Sequence, residues 1–241
     1  MKKVVFFLIL VFPILFSSCI RKVDRKKGGN VSNKGSEYVQ TSQPAGKNNV
    51  QKTTSRIFSG TEIFAKYNTA VFMVFTSDGW SNYQGSGFFI SSKGIGVSNY
   101  HVFKGTSIGR ERIKLSDESV YTLRNVIKAS EDEDIIIFQI ESNRQNFNYI
   151  PIADISPKVG EKVFAIGSPR GWENTFSSGE ISQRRENNML QISVPIDHGS
   201  SGGALINEYG KAIGITSGGI DESGANLNFA IDIQVIKKYL K

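Results

Sequence analysis

The chain is poor in the residues that build covalent or metal-held frameworks. Of its 241 residues, one is cysteine and two are histidine. A lone cysteine, Cys19, excludes any disulfide within the chain. With His101 and His198 as the only imidazoles, the composition also argues against a zinc site of the usual nitrogen–sulfur type, and no cofactor is expected. Long apolar runs are missing too. The longest, Val4–Phe16, has 13 residues, whereas a bilayer-crossing helix needs about 20. Acidic residues are scarce at one end only: residues 1–60 carry 11 Lys/Arg against 2 Asp/Glu, and residues 61–241 carry 18 against 20. The net charge of +7 therefore belongs to the N-terminal segment. Nothing interleaves basic with aromatic residues into a base-stacking surface, so nucleic acid is not an expected partner.

What the N-terminus does contain is an address. Met1-Lys2-Lys3 followed by Val4–Phe16 fits the charged and apolar regions of a secretory signal, expected over residues 1–18. The run ends in Phe16-Ser17-Ser18-Cys19, which resembles the lipobox of bacterial lipoproteins, with Phe16 where an aliphatic residue is usual. That resemblance implies cleavage before Cys19, acylation of its thiol and attachment to a membrane of the bacterial cell envelope. Several acyl chains on one cysteine would hold stably, where a single chain is marginal. Residues 19–57 are rich in Lys, Asn, Ser, Gln, Thr and Gly. Such a stretch cannot bury enough surface to offset its ordering entropy, and it reads as a flexible tether.

Residues 58–241 read as a folded domain. Thr61–Tyr67 has the pattern of a short amphipathic helix. Short Val/Ile/Phe-rich runs then recur between glycine-bearing turns: 71–76, 87–91, 96–99, 120–127, 135–140, 162–166, 179–182, 189–194, 204–207, 212–216 and 228–231. That spacing predicts an all-β fold of barrels or a sandwich, closed by a helix over 232–241.

The chemistry is concentrated in three places. Gly199-Ser200-Ser201-Gly202-Gly203 puts a serine in a tight glycine turn. A serine nucleophile needs a base, and the base needs an acid to orient it. His101 lies upstream in Ser98-Asn99-Tyr100-His101-Val102. Asp134 directly abuts the apolar run Ile135–Phe138, while Glu131, Asp132 and Glu133 read as a solvated charge run. The order is His, Asp, Ser. The turn also satisfies the nucleophile elbow of α/β-hydrolases, but that fold needs its histidine after the serine, and none follows Ser201. His198, three residues before Ser201, is expected to line the substrate cleft.

The motifs together resemble the HtrA/Deg branch of trypsin-like serine proteases. Gly85–Ile90 with Val97–Val102 is similar to the family's histidine region, and Glu133–Ile136 to its aspartate motif. Val159–Pro169 and Thr175–Ser182 are similar to its second-barrel entry. Gly199–Gly203 is similar to its serine motif, and Ala212–Ile215 with Phe229–Ile231 to the family's strands beyond that serine. The resemblance covers roughly residues 62–240. It implies two six-stranded antiparallel β-barrels, chymotrypsin-like, at about 68–155 and 156–232. His101, Asp134 and Ser201 would form a triad, with the N–H groups of Gly199 and Ser201 as the oxyanion hole. Pro195 and Ile196 would lie near the base of the specificity pocket, and Ser217-Gly218-Gly219 would form the wall that pairs with the substrate backbone. Pro195 stands where trypsin-like enzymes carry an acid, so a small or apolar substrate side chain is expected. Ser200 replaces the aspartate that pairs with a new N-terminus in zymogen-activated enzymes, so activation of that kind is not expected. Ser98 stands for a usual threonine, Ile136 for alanine and Ala204 for proline. With 40 residues after Ser201, the family's peptide-binding PDZ domain is not expected here. For assembly the resemblance points to a trimer, which the residues themselves leave open. The implied activity is endoproteolysis of exported or misfolded proteins. The competing reading is a non-catalytic lipoprotein that uses the same fold to bind peptides or a partner.

Overall fold

A computed structural model describes residues 56–168, 174–220 and 227–240, all within one compact unit, Lys52–Lys241. The expected signal peptide, Cys19 and nearly all of the tether lie outside the described residues. Among the described residues no helix is long and apolar enough to cross a membrane.

The domain opens with helix α1, Gly60–Tyr67. Ser59 caps it by accepting the Glu62 N–H while the Glu62 carboxylate accepts the Ser59 N–H, a reciprocal pair that satisfies two otherwise orphaned donors. Ile63 and Tyr67, four residues apart, are the buried face, and the Tyr67 hydroxyl donates to the Gly210 carbonyl at 2.7 Å.

The rest is all-β, as expected. Strands β1 (Val71–Ser77), β2 (Asn82–Phe89), β3 (Ile95–Ser98), β4 (Arg112–Lys114), β5 (Val120–Tyr121), β6 (Leu123–Ser130) and β7 (Ile135–Ile140) form one antiparallel sheet in the order β5-β4-β1-β2-β3-β7-β6. Seven strands stand where six were expected, and the sheet is open in its hydrogen bonding. The reason lies at Thr122. The sheet's two edges, β5 and β6, are successive pieces of one segment interrupted there, pairing with β4 on one side and β7 on the other. Chain continuity thus completes a barrel that the ladder leaves open.

Strands β8 (Lys162–Gly167), β9 (Thr175–Arg184), β10 (Met189–Ile192), β11 (Ala204–Asn207), β12 (Ala212–Ile220) and β13 (Leu227–Asp232) close a true six-stranded barrel in the order β10-β13-β12-β11-β8-β9. The connection between the halves is pinned to both, with Ile150 N–H on the Phe89 carbonyl and Ala153 N–H on Ala212. The expected closing helix is only one turn, Gln234–Lys237.

Three apolar clusters hold this arrangement. Phe72, Phe89, Phe103 and Phe138 fill the first half, and Val163, Leu190, Leu205 and Ile213 fill the second. A third cluster lies between the halves: Val71, Phe88, Val97, Ile135 and Ile137 meet Phe164, Ile166, Ala204 and Ile231. The unbroken run Ile135–Phe138 follows from this. Ile135 and Ile137 face the seam while Ile136 and Phe138 face the interior, so both faces of β7 need apolar side chains.

Candidate active site

The three residues singled out by the sequence converge on the seam. His101 sits on a single helical turn, α2 (Tyr100–Phe103), which the sequence pattern does not disclose. Buried Val102 and Phe103 anchor that turn in the first barrel, leaving the His101 ring at the surface. Asp134 ends the turn before β7 with φ +48°, a left-handed conformation in which aspartate is among the better tolerated residues. Asn99, itself fully buried, donates to the Asp134 carbonyl at 3.1 Å.

That constraint aims the Asp134 carboxylate at His101. Its two oxygens lie 2.9 and 3.0 Å from Nδ1, and one also accepts the His101 backbone N–H at 2.9 Å. A carboxylate there fixes the tautomer with the proton on Nδ1 and leaves Nε2 free as a base. The neighbouring acids do other work. Glu131 pairs with Lys104, and Glu133 takes Lys238 and the Tyr239 hydroxyl, so its carboxyl is held below the usual range chiefly by the Lys238 ammonium. Glu133 is therefore a clamp on the C-terminal segment and not a merely solvated charge.

The serine turn is held by the first barrel. The Ser86 N–H donates to the Ser201 carbonyl at 2.8 Å, and the Ser86 hydroxyl donates to the Gly199 carbonyl at 2.7 Å. Ser98, in place of threonine, keeps the hydroxyl that matters and gives it to the Ser86 carbonyl at 2.7 Å. Two glycines are required by this close approach. At Gly202, φ is +90° and a Cβ would sit 2.1 Å from the Ser86 carbonyl oxygen. At Gly85 a Cβ would sit 2.6 Å from the Val102 side chain and 3.2 Å from the Ser201 carbonyl.

Within the turn, the N–H groups of Ser200, Gly202 and Gly203 are taken by the carbonyls of Asp197, Thr216 and Ser200. Those of Gly199 and Ser201 donate to no acceptor among the described residues. The Ser201 hydroxyl does not point at His101. It donates to the Ser217 carbonyl at 2.6 Å, while the Ser217 hydroxyl lies 3.3 Å from the Asp134 carboxylate. Ser217 thus links Ser201 to Asp134, a contact beyond the cleft wall expected of it.

A hollow of about 240 Å³ adjoins Ser201, lined by Ile196, Asp197, His198, Ser217, Gly218 and Gly219. Pro195 is not among its lining residues. Pro195 lines a second hollow of about 270 Å³, together with Thr175, Ser177 and Ser200. Asp197, which no sequence motif singles out, lines both, and its carboxylate accepts the His198 N–H at 2.7 Å. Among the described residues no cluster of His, Cys, Asp and Glu could hold a metal ion.

The fold agrees with what the chain is similar to. A trypsin-like peptidase domain matches residues 85–215, more than half of the chain. The chain belongs to the trypsin-like peptidase domain family. Relatives of this trypsin-like peptidase domain include a chloroplastic protease Do-like 1 of Arabidopsis thaliana, 34% identical over 63% of this chain and 36% of the relative. Another is a probable periplasmic serine endoprotease, DegP-like, of Bartonella henselae, 31% identical over 62% of this chain and 30% of the relative. Among solved structures, the serine endoprotease from Yersinia pestis superposes with a TM-score of 0.67 at 27% identity, covering 75% of this chain and 64% of that one. The chain spans about a third of the length of the curated relatives it matches.

Proposed function

We propose that this trypsin-like peptidase domain is an HtrA-type serine endopeptidase in which Ser201 attacks, His101 relays the proton and Asp134 orients His101. The single observation that carries this is the Asp134 carboxylate spanning His101 Nδ1 at 2.9 and 3.0 Å, beside a serine in a glycine turn.

On this reading a substrate carbonyl enters beside Ser201. The Ser201 hydroxyl leaves the Ser217 carbonyl and turns to His101 Nε2, which takes its proton as Oγ bonds to the carbonyl carbon. Negative charge moves to the substrate oxygen, where the N–H groups of Gly199 and Ser201 receive it, a contribution of about 3–4 kcal/mol per donor. His101 passes the proton to the departing amine and the C–N bond breaks, leaving an acyl group on Ser201. Water, deprotonated by His101, then releases the acyl group as a carboxylic acid. The wall Ser217–Gly219 holds the acyl half of the substrate. The hollow lined by Ile196 and the two glycines takes a small or apolar side chain.

The periplasmic names of several relatives support a cell-envelope location, with residues 1–18 as the signal, Cys19 as the lipid anchor and residues 19–57 as the tether. Exported or misfolded proteins would be the substrates and a trimer the assembly.

Casein cleavage by the full-length protein should fall on the order of 10⁶-fold in Ser201→Ala. Equal cleavage by the two proteins would reject Ser201 as nucleophile. A fluorophosphonate probe tests activation without a substrate. Labelling of the wild type but not of Ser201→Ala supports the enzyme, and no labelling of either favours the peptide-binding lipoprotein, a reading to which the Ser201–Ser217 hydrogen bond lends itself.

A further inference from the structure

A basic hollow lies beyond the serine turn on the first sheet, at the far end of the face shared by β1, β2 and β4. Residues directly opposed across antiparallel strands share a face. Met73 opposes Ser86 and Lys114, Phe75 opposes Gln84 and Arg112, and Ser77 opposes Asn82. The face therefore begins at Ser86, whose hydroxyl touches the Gly199 carbonyl. It passes Gln84, which donates to the Ser168 carbonyl at 2.7 Å, and ends beyond Phe75 and Arg112 at Asn82. There the surface forms a hollow of about 500 Å³ lined by Phe75, Tyr83, Asn82, Arg110 and Arg112. Phe75 and Tyr83 are 36% and 44% exposed there.

We infer that this hollow receives the leaving-group half of the substrate and that Arg110 and Arg112 make acidic residues preferred there. The inference rests on the protease reading above. Direction follows from the chemistry. The acyl half lies against Ser217–Gly219, and the leaving amine must be reached by His101, so the leaving half departs past α2. Helix α2 reaches the same end of β1 from the sheet's other face, where Thr76 donates to the Val102 carbonyl at 2.6 Å. Reach follows from strand geometry. From Gly85, beside the Ser201 carbonyl, to Asn82 is about 10 Å at ~3.4 Å per residue, so an extended substrate brings roughly its second to fourth residue after the scissile bond into the hollow.

The charge of the hollow is positive and open to a ligand. Arg112 is held in place by two neutral acceptors, the carbonyls of Gly109 and Glu111, at 2.9 and 2.8 Å. Among the described residues neither Arg110 nor Arg112 has a carboxylate within salt-bridge distance. Glu111, the acid between them in sequence, is turned inward and accepts the N–H groups of Gly109 and Leu123. Asp78, at the near turn, is occupied by the N–H groups of Trp80 and Ser81 and by the Tyr83 hydroxyl. Two guanidiniums beside two aromatic rings fit an acidic side chain followed by an apolar one.

The test uses the full-length protein and a peptide copied from a site it cuts in casein, with the acyl half fixed. Versions carry Asp, Asn or Lys at the second to fourth positions after the scissile bond. Each acid should raise kcat/KM over the matching lysine by about two- to five-fold per ionic contact at low salt, and 0.5 M salt should erase most of the difference. In Arg110→Glu with Arg112→Glu the order should invert, with lysine preferred. A wild type that cuts all three versions equally, or a double variant that keeps the acidic preference, overturns the hollow's role alone. Failure of the wild type to cut casein in a Ser201-dependent way would remove the protease reading, and the hollow's role with it.

Discussion

The most exposed consequence at the scale of single residues concerns Asp134. Its carboxylate holds His101 through Nδ1 and through the backbone N–H, and it receives the Ser217 hydroxyl. Asp134→Asn keeps the shape but presents an amide N–H to Nδ1, which favours the wrong tautomer. Casein cleavage should drop on the order of 10⁴-fold at neutral pH, with an unchanged circular dichroism spectrum. A loss of tenfold or less would mean that another acid orients the base. Asp134 itself was legible in the sequence because it abuts an apolar strand, as was Ser201 because glycines surround it. Ser217 as a bridge and Asp197 as a lining acid were not. The importance of Ser217 comes from where β12 runs relative to Asp134, 83 positions away, and that of Asp197 from where the 195–198 loop runs relative to Ser217–Gly219; no local pattern carries that information.

At the scale of elements, long apolar strands were readable and short ones were not. Strand β4 has three residues and the His101 helix four, too few to establish a period against their neighbours. Both exist because tertiary contacts hold them: Ile113 is fully buried under β1, and Val102 packs on Gly85. The seam of the first barrel is secured at its open edge by Asp117, in the β4–β5 turn, which accepts from the Ser119 hydroxyl and from Arg144 at 2.8 Å. These partners, the Ser119 hydroxyl first, hold the Asp117 carboxyl down at about 2 from an ordinary 3.8. A depressed folded-state value stabilises the fold above the ordinary one, and that contribution is lost as pH falls through about 2. Asp117→Asn should therefore lower stability at neutral pH by no more than about 1 kcal/mol, because the pair is half exposed. The gap between wild type and variant, measured by urea unfolding, should shrink steadily from pH 4 to pH 2. A gap that widens toward acid would contradict the pairing.

For the whole molecule, the cluster between the halves decides how the protein unfolds. Phe164 is 2% exposed there, stacked on Phe176 with ring centroids 5.6 Å apart and grouped with Val71, Phe88 and Ile137 of the first barrel. Phe164→Ala should cost about 3–5 kcal/mol. Because the site lies across the seam, the loss should appear as one shifted transition, with circular dichroism and tryptophan fluorescence coinciding in guanidinium. Two separated transitions would show barrels that fold independently. The cooperative seam also matters for the site, since His101 and Asp134 come from one half and Ser201 from the other. The all-β class, the chain order of the candidate residues His101, Asp134 and Ser201 and the charge asymmetry of the chain are legible locally, because strand period, glycine turns and composition are local properties. Tertiary structure alone decided that the two edges of the first sheet meet in one chain segment at Thr122, that Ser201 rests on Ser217 and that two arginines line a hollow beyond the serine turn. Each of these depends on which strands lie side by side, and that is fixed by burial across the seam.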